Sequence, residues 1–436
     1  MKTVLLRFML FVCIVLPAGV SQALTIEIQK GNSDAIPIAV VPFGWTGPKK
    51  VPLDVGEIIA TDLRRSGYFS PLPKGDLVAR PVDAAQVRFE NWRALKVENL
   101  IVGRMEALPN RQYRIQFQLL DVFNGTQLAG YSIQSSLRDL RRAAHQISDL
   151  IFEKLTGVHG AFDTRLAYVT VVKGKHGKPR YRLAISDIDG YNEQIILESG
   201  NSILSPAWAP DGSRIAYVSV TPKGPVIHVQ NIHTGRSRKL RVFRGLNNAP
   251  AWSPDGRKLA VTLSKDGNAE IYVYDLASNT VSRVTRNYAI DTEAAWLPDG
   301  KGIIFTSDRG GTPQLYRILF DNAGRPGRAE RLTFDGKYNA RAAVSPDGKQ
   351  VAFVNDHRIA VMDLETFRVR VLSETSWDES PSFAPNGSMI IYATQSGRGG
   401  VLAAVSVEGR ATQKFSVSRG DIREPAWSPF RQRNYQ

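Results

Sequence analysis

Cysteine is nearly missing from this chain: there is one in 436 residues, Cys13, and it lies inside an apolar run near the start. No small residues precede it as a lipoprotein signal requires, so no lipid is expected there. If that leading segment is removed, no cysteine remains. A disulfide framework, a thiol nucleophile and cysteine-bound zinc are then all excluded. Long hydrophobic runs are missing as well: beyond the leading segment none approaches the roughly 20 apolar residues that span a bilayer. Histidine is scarce, with six residues at 145, 159, 176, 228, 233 and 357 and no HExxH arrangement. His228 and His233 can meet across a turn, but two histidines alone make a poor metal site.

The motifs of catalysis are missing too. There is no GxGxxG, and Gly177-Lys178 is followed by proline where a phosphate-binding loop needs Ser or Thr. Gly31-Asn32-Ser33 and Gly200-Asn201-Ser202 lack the second glycine of a nucleophile elbow, and no spare domain remains to house a triad. The string "SDIDGYNE" shares Asp187 and Asp189 with a calcium loop, but it lacks the third ligand position and a correctly spaced bidentate glutamate. A strand-ending turn accounts for it better. No enzyme activity, cofactor or metal is expected.

What is present begins with an export signal. Lys2 and Arg7 precede the apolar run from Phe8 to Leu16, Pro17 and Gly19 break it, and Ser21-Gln22-Ala23 supplies the small residues a signal peptidase reads. Residues 1–23 are therefore expected to be cleaved, leaving an exported, soluble protein with no transmembrane segment. The formal charge of +15 falls to +13 once Lys2 and Arg7 leave. Such a balance favours acidic partners or anionic envelope surfaces over nucleic acid in an exported protein. A generally basic proteome explains the charge equally well.

A repeated sentence dominates the rest. "SPAWAPDG", "APAWSPDG" and "EAAWLPDG" belong to a series whose proline falls at 210, 254, 298, 346 and 385, with a sixth copy, "EPAWSPF", at Pro429. The spacings of 44, 44, 48, 39 and 44 are those of four-stranded propeller blades. In Ser253-Pro254-Asp255-Gly256, proline presets the second position of a type I turn, while serine and glycine suit its ends. Pro250 opens the strand before it, where a missing N–H is tolerated at a sheet edge. Trp208, Trp252, Trp296 and Trp427 occupy equivalent positions, with Val344 and Phe383 in the other copies, and read as core between blades.

The last copy lacks its remaining strands, and those strands occur ahead of the first copy as "TRLAYVTVV", "RYRLAISDIDG" and "EQIILES". This arrangement predicts a six-bladed β-propeller over residues 162–432, closed by the C-terminal strand. Residues 24–157 carry no repeat and read as an α/β domain. It has a strand at "IPIAVVPF", a helix at "DVGEIIATDLRRSGYFSPL" ended by Pro71, three strands and a long helix. That helix carries Leu137, Leu140, Ala144, Ile147, Ile151 and Leu155 on its core face. The opening "LTIEIQKGNSDA" is β-prone. It can pair with a sheet edge of its own protein or of a partner, or be an ordinary first strand.

The loops entering the six innermost strands gather at one mouth of the disc. They read "NSILSP", "GLNNAP", "IDTEAA", "KYNARA", "WDESP" and "DIREP". Polar loops on a rigid scaffold are where binding concentrates.

Taken in order, the signal segment, "PIAVVPF", "SDIDGYNE", the "SPAWAPDG" series, "FAPNGSMIIYATQ" and the terminal "PAWSP" resemble the TolB family along the whole chain. These are periplasmic components of the Tol-Pal system of Gram-negative envelopes. The resemblance implies a binding protein without catalysis that engages the lipoprotein Pal at the propeller mouth and the C-terminal domain of TolA through its N-terminal segment. It implies a role in outer-membrane integrity and constriction during division. Carried onto this chain, the Pal-facing set is Leu246, Asn247, Asn248, Asp291, Thr292, Glu293, Arg341, Asp378, Glu379 and Glu424. The TolA-facing set is Leu24, Thr25, Ile26, Glu27 and Ile28. Family members can carry His-Asn where this chain has Leu246-Asn247. A switch is implied in which the segment is either docked or free, with Pal biasing the choice. Two other readings remain: an exported propeller enzyme or lectin acting on peptides or glycans, and an adaptor on peptidoglycan or anionic lipid.

Overall fold

The computed structural model describes residues 24–432 apart from 31–34, 49, 175–176, 398 and 419; the expected signal segment lies outside the described residues. Strand β1 (Thr25–Lys30) comes first and belongs to the propeller, as described below. The α/β domain follows with β2 (Ile36–Val40), β3 (Gly44–Thr46), α1 (Val55–Arg65), β4 (Phe69–Pro71), α2 (Phe89–Ala94), β5 (Asn99–Leu108), β6 (Gln112–Asp121), β7 (Thr126–Ser136) and α3 (Leu140–Thr156).

Its sheet runs β4-β2-β5-β6-β7, with β3 beside β5. Strand alternation divides the core. Ile38 and Val40 face α1 and α3, joining Ile59, Leu63, Ile147 and Phe152. Ala39 and Val41 point the other way, to Trp92 of α2, Leu100 and Leu120.

Two details depart from the sequence reading. Helix α1 ends at Arg65 rather than at Pro71, because Ser66 caps it through its hydroxyl to Leu63 O and Gly67 turns left-handed at φ 74°. Pro71 sits in β4 instead. Leu137 is 54% exposed in a 3₁₀ turn ahead of α3, so the core face of that helix starts at Leu140. Gly157, at φ 75°, caps the end of α3.

The propeller has the expected six blades. Blade 1 is β8 (Arg165–Lys173), β9 (Pro179–Asp187) and β10 (Gln194–Ser199), completed on the inside by the C-terminal strand Asp421–Trp427. That strand pairs antiparallel with β8, Asp421 opposite Val171 and Trp427 opposite Leu166. Ring closure therefore joins the two ends of the repeat region.

The tryptophans stitch the ring. The indole N–H of Trp208 donates to Ala426 O at 3.0 Å, that of Trp252 to Ala207 O at 3.0 Å, and that of Trp296 to Ala251 O at 3.1 Å, each reaching the preceding blade. Trp427 donates instead to Thr164 Oγ1 at 2.9 Å, on the segment leading into blade 1.

Blade 6 gains a fifth strand. β1 lies antiparallel on its outer strand Thr412–Ser416, Thr25 opposite Ser416 and Ile28 opposite Gln413. Of the alternatives for the opening segment, the structure realises pairing with an edge of its own protein.

Candidate functional site

Each innermost strand contains a β-bulge, marked by a slip in pairing with its neighbour. At each bulge one non-glycine residue adopts the left-handed region: Ser205, Ala249, Glu293, Arg341, Ser380 and Glu424, with φ between 47° and 57°. The slip turns these six side chains toward the axis, where they line a central channel of about 620 Å³. Proline follows directly at 206, 250, 381 and 425, so Pro250 lies behind the bulge rather than at the start of its strand (Asn247–Trp252).

Three of the six bulge residues are charged, Glu293, Arg341 and Glu424. Arg341 Nε is 3.2 Å from Glu293 Oε1, and its Nη1 is 3.8 Å from Glu379 Oε2 and donates to Ser380 Oγ at 2.6 Å. Glu424 accepts from the backbone N–H of Ser205 at 3.0 Å. Burial raises the carboxyl pKa of Glu293, and Glu424 raises it further against the pull of Arg341. Burial raises Glu424 likewise, opposed by Arg341 and the Ser205 N–H. Burial disfavours the charge on Arg341, but Glu293, Glu424 and Glu379 outweigh it and raise its pKa. Among the described residues that line the channel, Arg341 is the cation, with Glu293 and Glu424 around it.

The other expected mouth residues separate into two groups. Asn247, Asp291 and Asp378 are 2%, 0% and 1% exposed and hold the loops from inside. Asn247 Nδ2 donates to Phe243 O at 2.8 Å, and its Oδ1 accepts from Phe243 N at 2.9 Å. Asp291 binds Arg309 at 2.6 Å, and Asp378 accepts from Thr375 Oγ1 at 3.0 Å. All three stand two residues before a bulge residue, as does Asn339, which donates to Asp335 O at 2.7 Å. This is a buried scaffolding position of the repeat.

Leu246, Asn248 and Thr292 are partly exposed at the loops, and Glu379 is open to solvent. Thr292 shares a hydroxyl contact of 3.3 Å with Thr262, and the backbone N–H of Leu246 donates to Ser264 Oγ at 2.7 Å.

Sequence reasoning missed an aromatic rim. Tyr288, Phe334 and Trp377 are 88%, 70% and 61% exposed and occupy the loops entering blades 4, 5 and 6. His357 lies between Tyr338 and Trp377, with ring centroids 6.0 and 4.8 Å away. Bulky aromatics in loops with no blade interior to fill were the available signal. His228 stacks on Tyr217 at 5.3 Å. Among the described residues no three His, Cys, Asp or Glu side chains converge as metal ligands.

A second candidate site is the N-terminal segment. Leu24 is buried and Ile26 half-buried, in a core shared with Leu166, Tyr168 and Ile188 of blade 1 and with Ile391, Leu402 and Phe415 of blade 6. Thr25, Glu27 and Ile28 face outward. Leu24 rests on Gly190, in the turn between β9 and β10.

Comparison with known proteins places this architecture. Residues 24–128 match the family described as the TolB amino-terminal domain, and residues 152–431 match the TolB beta propeller domain. The chain is 52% identical over 417 residues to "Tol-Pal system protein TolB" of Xylella fastidiosa (strain M12), covering 94% of each chain. This chain belongs to the TolB family. The corresponding Xanthomonas oryzae pv. oryzae (strain PXO99A) protein is equally similar, at 52% over the same span with 94% of each chain covered. The crystal structure of TolB from Acinetobacter baumannii superposes with a TM-score of 0.86 at 40% identity, over 93% of this chain and all of that one. A place in the Tol-Pal system of the envelope follows from the family. No helix among the described residues is long and apolar enough to cross a membrane.

In this TolB-family chain the turn beneath Leu24 is also where the two domains are clamped. Asp189 binds Arg141 Nε at 2.7 Å, and His145 bridges it, 3.1 Å from Asp189 and 2.7 Å from Asp62. Ser148 Oγ donates to Asp62 at 2.8 Å, and Arg141 covers the Tyr191 ring at 3.3 Å. Burial disfavours the imidazolium, yet Asp62 and Asp189 overcome it and raise His145 to about 10. Burial likewise opposes the Asp62 carboxylate, but His145 and Arg65 hold it below the usual range. "SDIDGYNE" is thus a turn, as expected, and its Asp189 is an interdomain anchor.

Proposed function

We propose that this chain is a non-catalytic periplasmic scaffold of the Tol-Pal system. It binds Pal at the propeller mouth and the TolA C-terminal domain through residues 24–28, in support of outer-membrane integrity and constriction during division. The observation that carries the reading is the separation of two surfaces on one rigid body. The loops entering the inner strands form a mouth with a charged waist and an aromatic rim. The Pro-Asp-Gly turns leave the other end of those strands, and there Asn386 Nδ2 donates to His159 O at 2.8 Å, at the junction with the α/β domain.

A partner at the mouth leaves β1 free to engage a second one. Glu379, Glu424 and Glu293 supply acidic contacts, Arg341 a basic one, and Tyr288, Phe334 and Trp377 supply area. Strand β1 pairs with the outer strand of blade 6, and this antiparallel pairing can be exchanged for pairing with the sheet edge of a partner. Pal binding shifts the docked and free populations of the segment insofar as it binds the two states differently.

Calorimetric titration of the mature protein with the soluble domain of its own Pal, repeated without residues 24–31, is the decisive test. Saturable binding whose affinity changes on deletion supports both the mouth and the switch. No heat at micromolar concentration from correctly folded protein sinks the Pal assignment.

A further inference from the structure

On the side of the disc that carries the α/β domain, a cleft of about 430 Å³ opens between the start of α3, blade 1 and the end of the chain. Four arginines line it: Arg138 and Arg142 from the α/β domain, Arg165 from β8, and Arg431 from the C-terminal tail. The carboxylates beneath them are already committed. Arg142 Nε lies 3.1 Å from Asp163, while a single nitrogen of Arg431 is shared between Asp163 and Asp187, 3.2 Å from each. Among the described residues Arg138 and Arg165 have no side-chain hydrogen bond or ion pair. Arg165 is half-buried, and its guanidinium is pushed below its ordinary pKa by burial and by the nearby charges of Arg431 and Arg142, which prevail over Asp187 and Asp163. With Asp139 also on its wall, the recess sets four arginines against three aspartates, Asp139, Asp163 and Asp187, and stays positive.

We propose that this cleft is a binding site for a phosphate-bearing anion. Planar guanidinium forks match the paired oxygens of a phosphate, and converging forks in a partly desolvated recess repel one another until an oxyanion lies between them. The N-terminus of α3 adds partial positive charge on the same side. The volume suits a phosphate carrying a glycerol- or sugar-sized group. Here the large positive charge of the chain takes on a definite structural form, away from the mouth and from β1.

Inorganic pyrophosphate is the probe, titrated calorimetrically into the full mature chain. One saturable site is expected, weakened tenfold or more by Arg165→Ala and by Arg138→Ala. Arg257→Ala, an exposed arginine of a blade 3 turn, should leave it unchanged within twofold. Melting curves without ligand show whether the variants fold, and Arg165→Lys, which keeps the charge but not the fork, should bind at an intermediate level. Equal weakening by Arg165→Ala and Arg257→Ala, or no saturable binding at millimolar pyrophosphate, overturns the proposal. Cosedimentation with phosphatidylglycerol vesicles then identifies the source. Sedimentation lost in Arg165→Ala and competed by pyrophosphate assigns the site to a lipid headgroup. Pyrophosphate binding without vesicle binding assigns it to a soluble phosphate.

Discussion

Replacing Gly190 by alanine should undock the N-terminal segment while leaving the propeller closed. A Cβ at that position would sit 2.6 Å from Leu24 O and 2.8 Å from Leu24 Cβ, and Gly190 holds φ at 84°. Something must move. The turn is fixed from several sides: Gly190 N donates to Asp187 O at 2.9 Å, Asp187 N to Tyr191 O at 2.8 Å, and Asp189 is bound to Arg141 and His145. Among the described residues β1 pairs along one edge, so Leu24 yields first. Losing the burial of one leucine costs about 2 kcal/mol. At about 1.4 kcal/mol per factor of ten, the undocked population should rise about 30-fold. Strain in the left-handed turn, about 1 kcal/mol, lowers global stability separately. Hydrogen exchange by mass spectrometry reads the two effects apart. Amides of residues 25–30 should exchange about 30-fold faster, while those of β8 and α3 should speed up by no more than about fivefold, the share of the global loss. If residues 25–30 exchange unchanged and the 187–191 turn loses protection instead, Leu24 is not the weaker partner and the reasoning fails.

Trp377→Ala and Tyr288→Ala should each weaken Pal binding by about 1–2 kcal/mol without shifting the melting temperature, as exposed aromatics that a partner buries as anchors do. Asn247→Ala should do the reverse, lowering stability by removing a buried loop staple; calorimetry paired with melting curves distinguishes the two. His145 is raised from 6.5 to about 10, so its contribution is complete below the unfolded pKa near 6.5 and is lost as pH rises toward 10. The melting temperature should fall across that window, and His145→Gln should flatten the slope while costing about 3–5 kcal/mol at neutral pH by stranding buried carboxylates. Arg341→Met leaves Glu293 and Glu424 without their cation, raising both carboxyl pKa values further. The variant should be markedly less stable at pH 8 than at pH 5, and a pH-independent loss would refute the coupling at the waist.

The propeller was legible because its period is written in residues that tolerate no substitute at their backbone positions. Proline marks each turn and glycine all but the last, tryptophan marks four of the six copies, and the truncated copy at Pro429 shows how the ring closes. The bulges were not legible. A left-handed Glu293 or Arg341 follows from the curvature of the inner strand within the ring, not from any local preference, and glycine was not used to mark the site. For the same reason Asn247, Asp291 and Asp378 read as surface when they are interior, because a polar residue in a polar loop does not reveal which way it points. Leu137 was misplaced because helical periodicity continues through a 3₁₀ turn. The arginines of the cleft come from segments almost 300 residues apart, and only the tertiary fold brings them together.

The docking of β1 has a mechanical side. The strand is held at one edge, beside the seam where the first and last blades meet, and its first residue lies at one end of the pairing. A tug on that end would open the pairs one at a time, as a zipper opens, and no two bonds need share the load. The closing strand Asp421–Trp427 lies at the inner edge of its own blade and would feel little of that force. The segment would thus part long before the ring does, a fuse that lets a pulling partner come away without unwinding the protein that holds it.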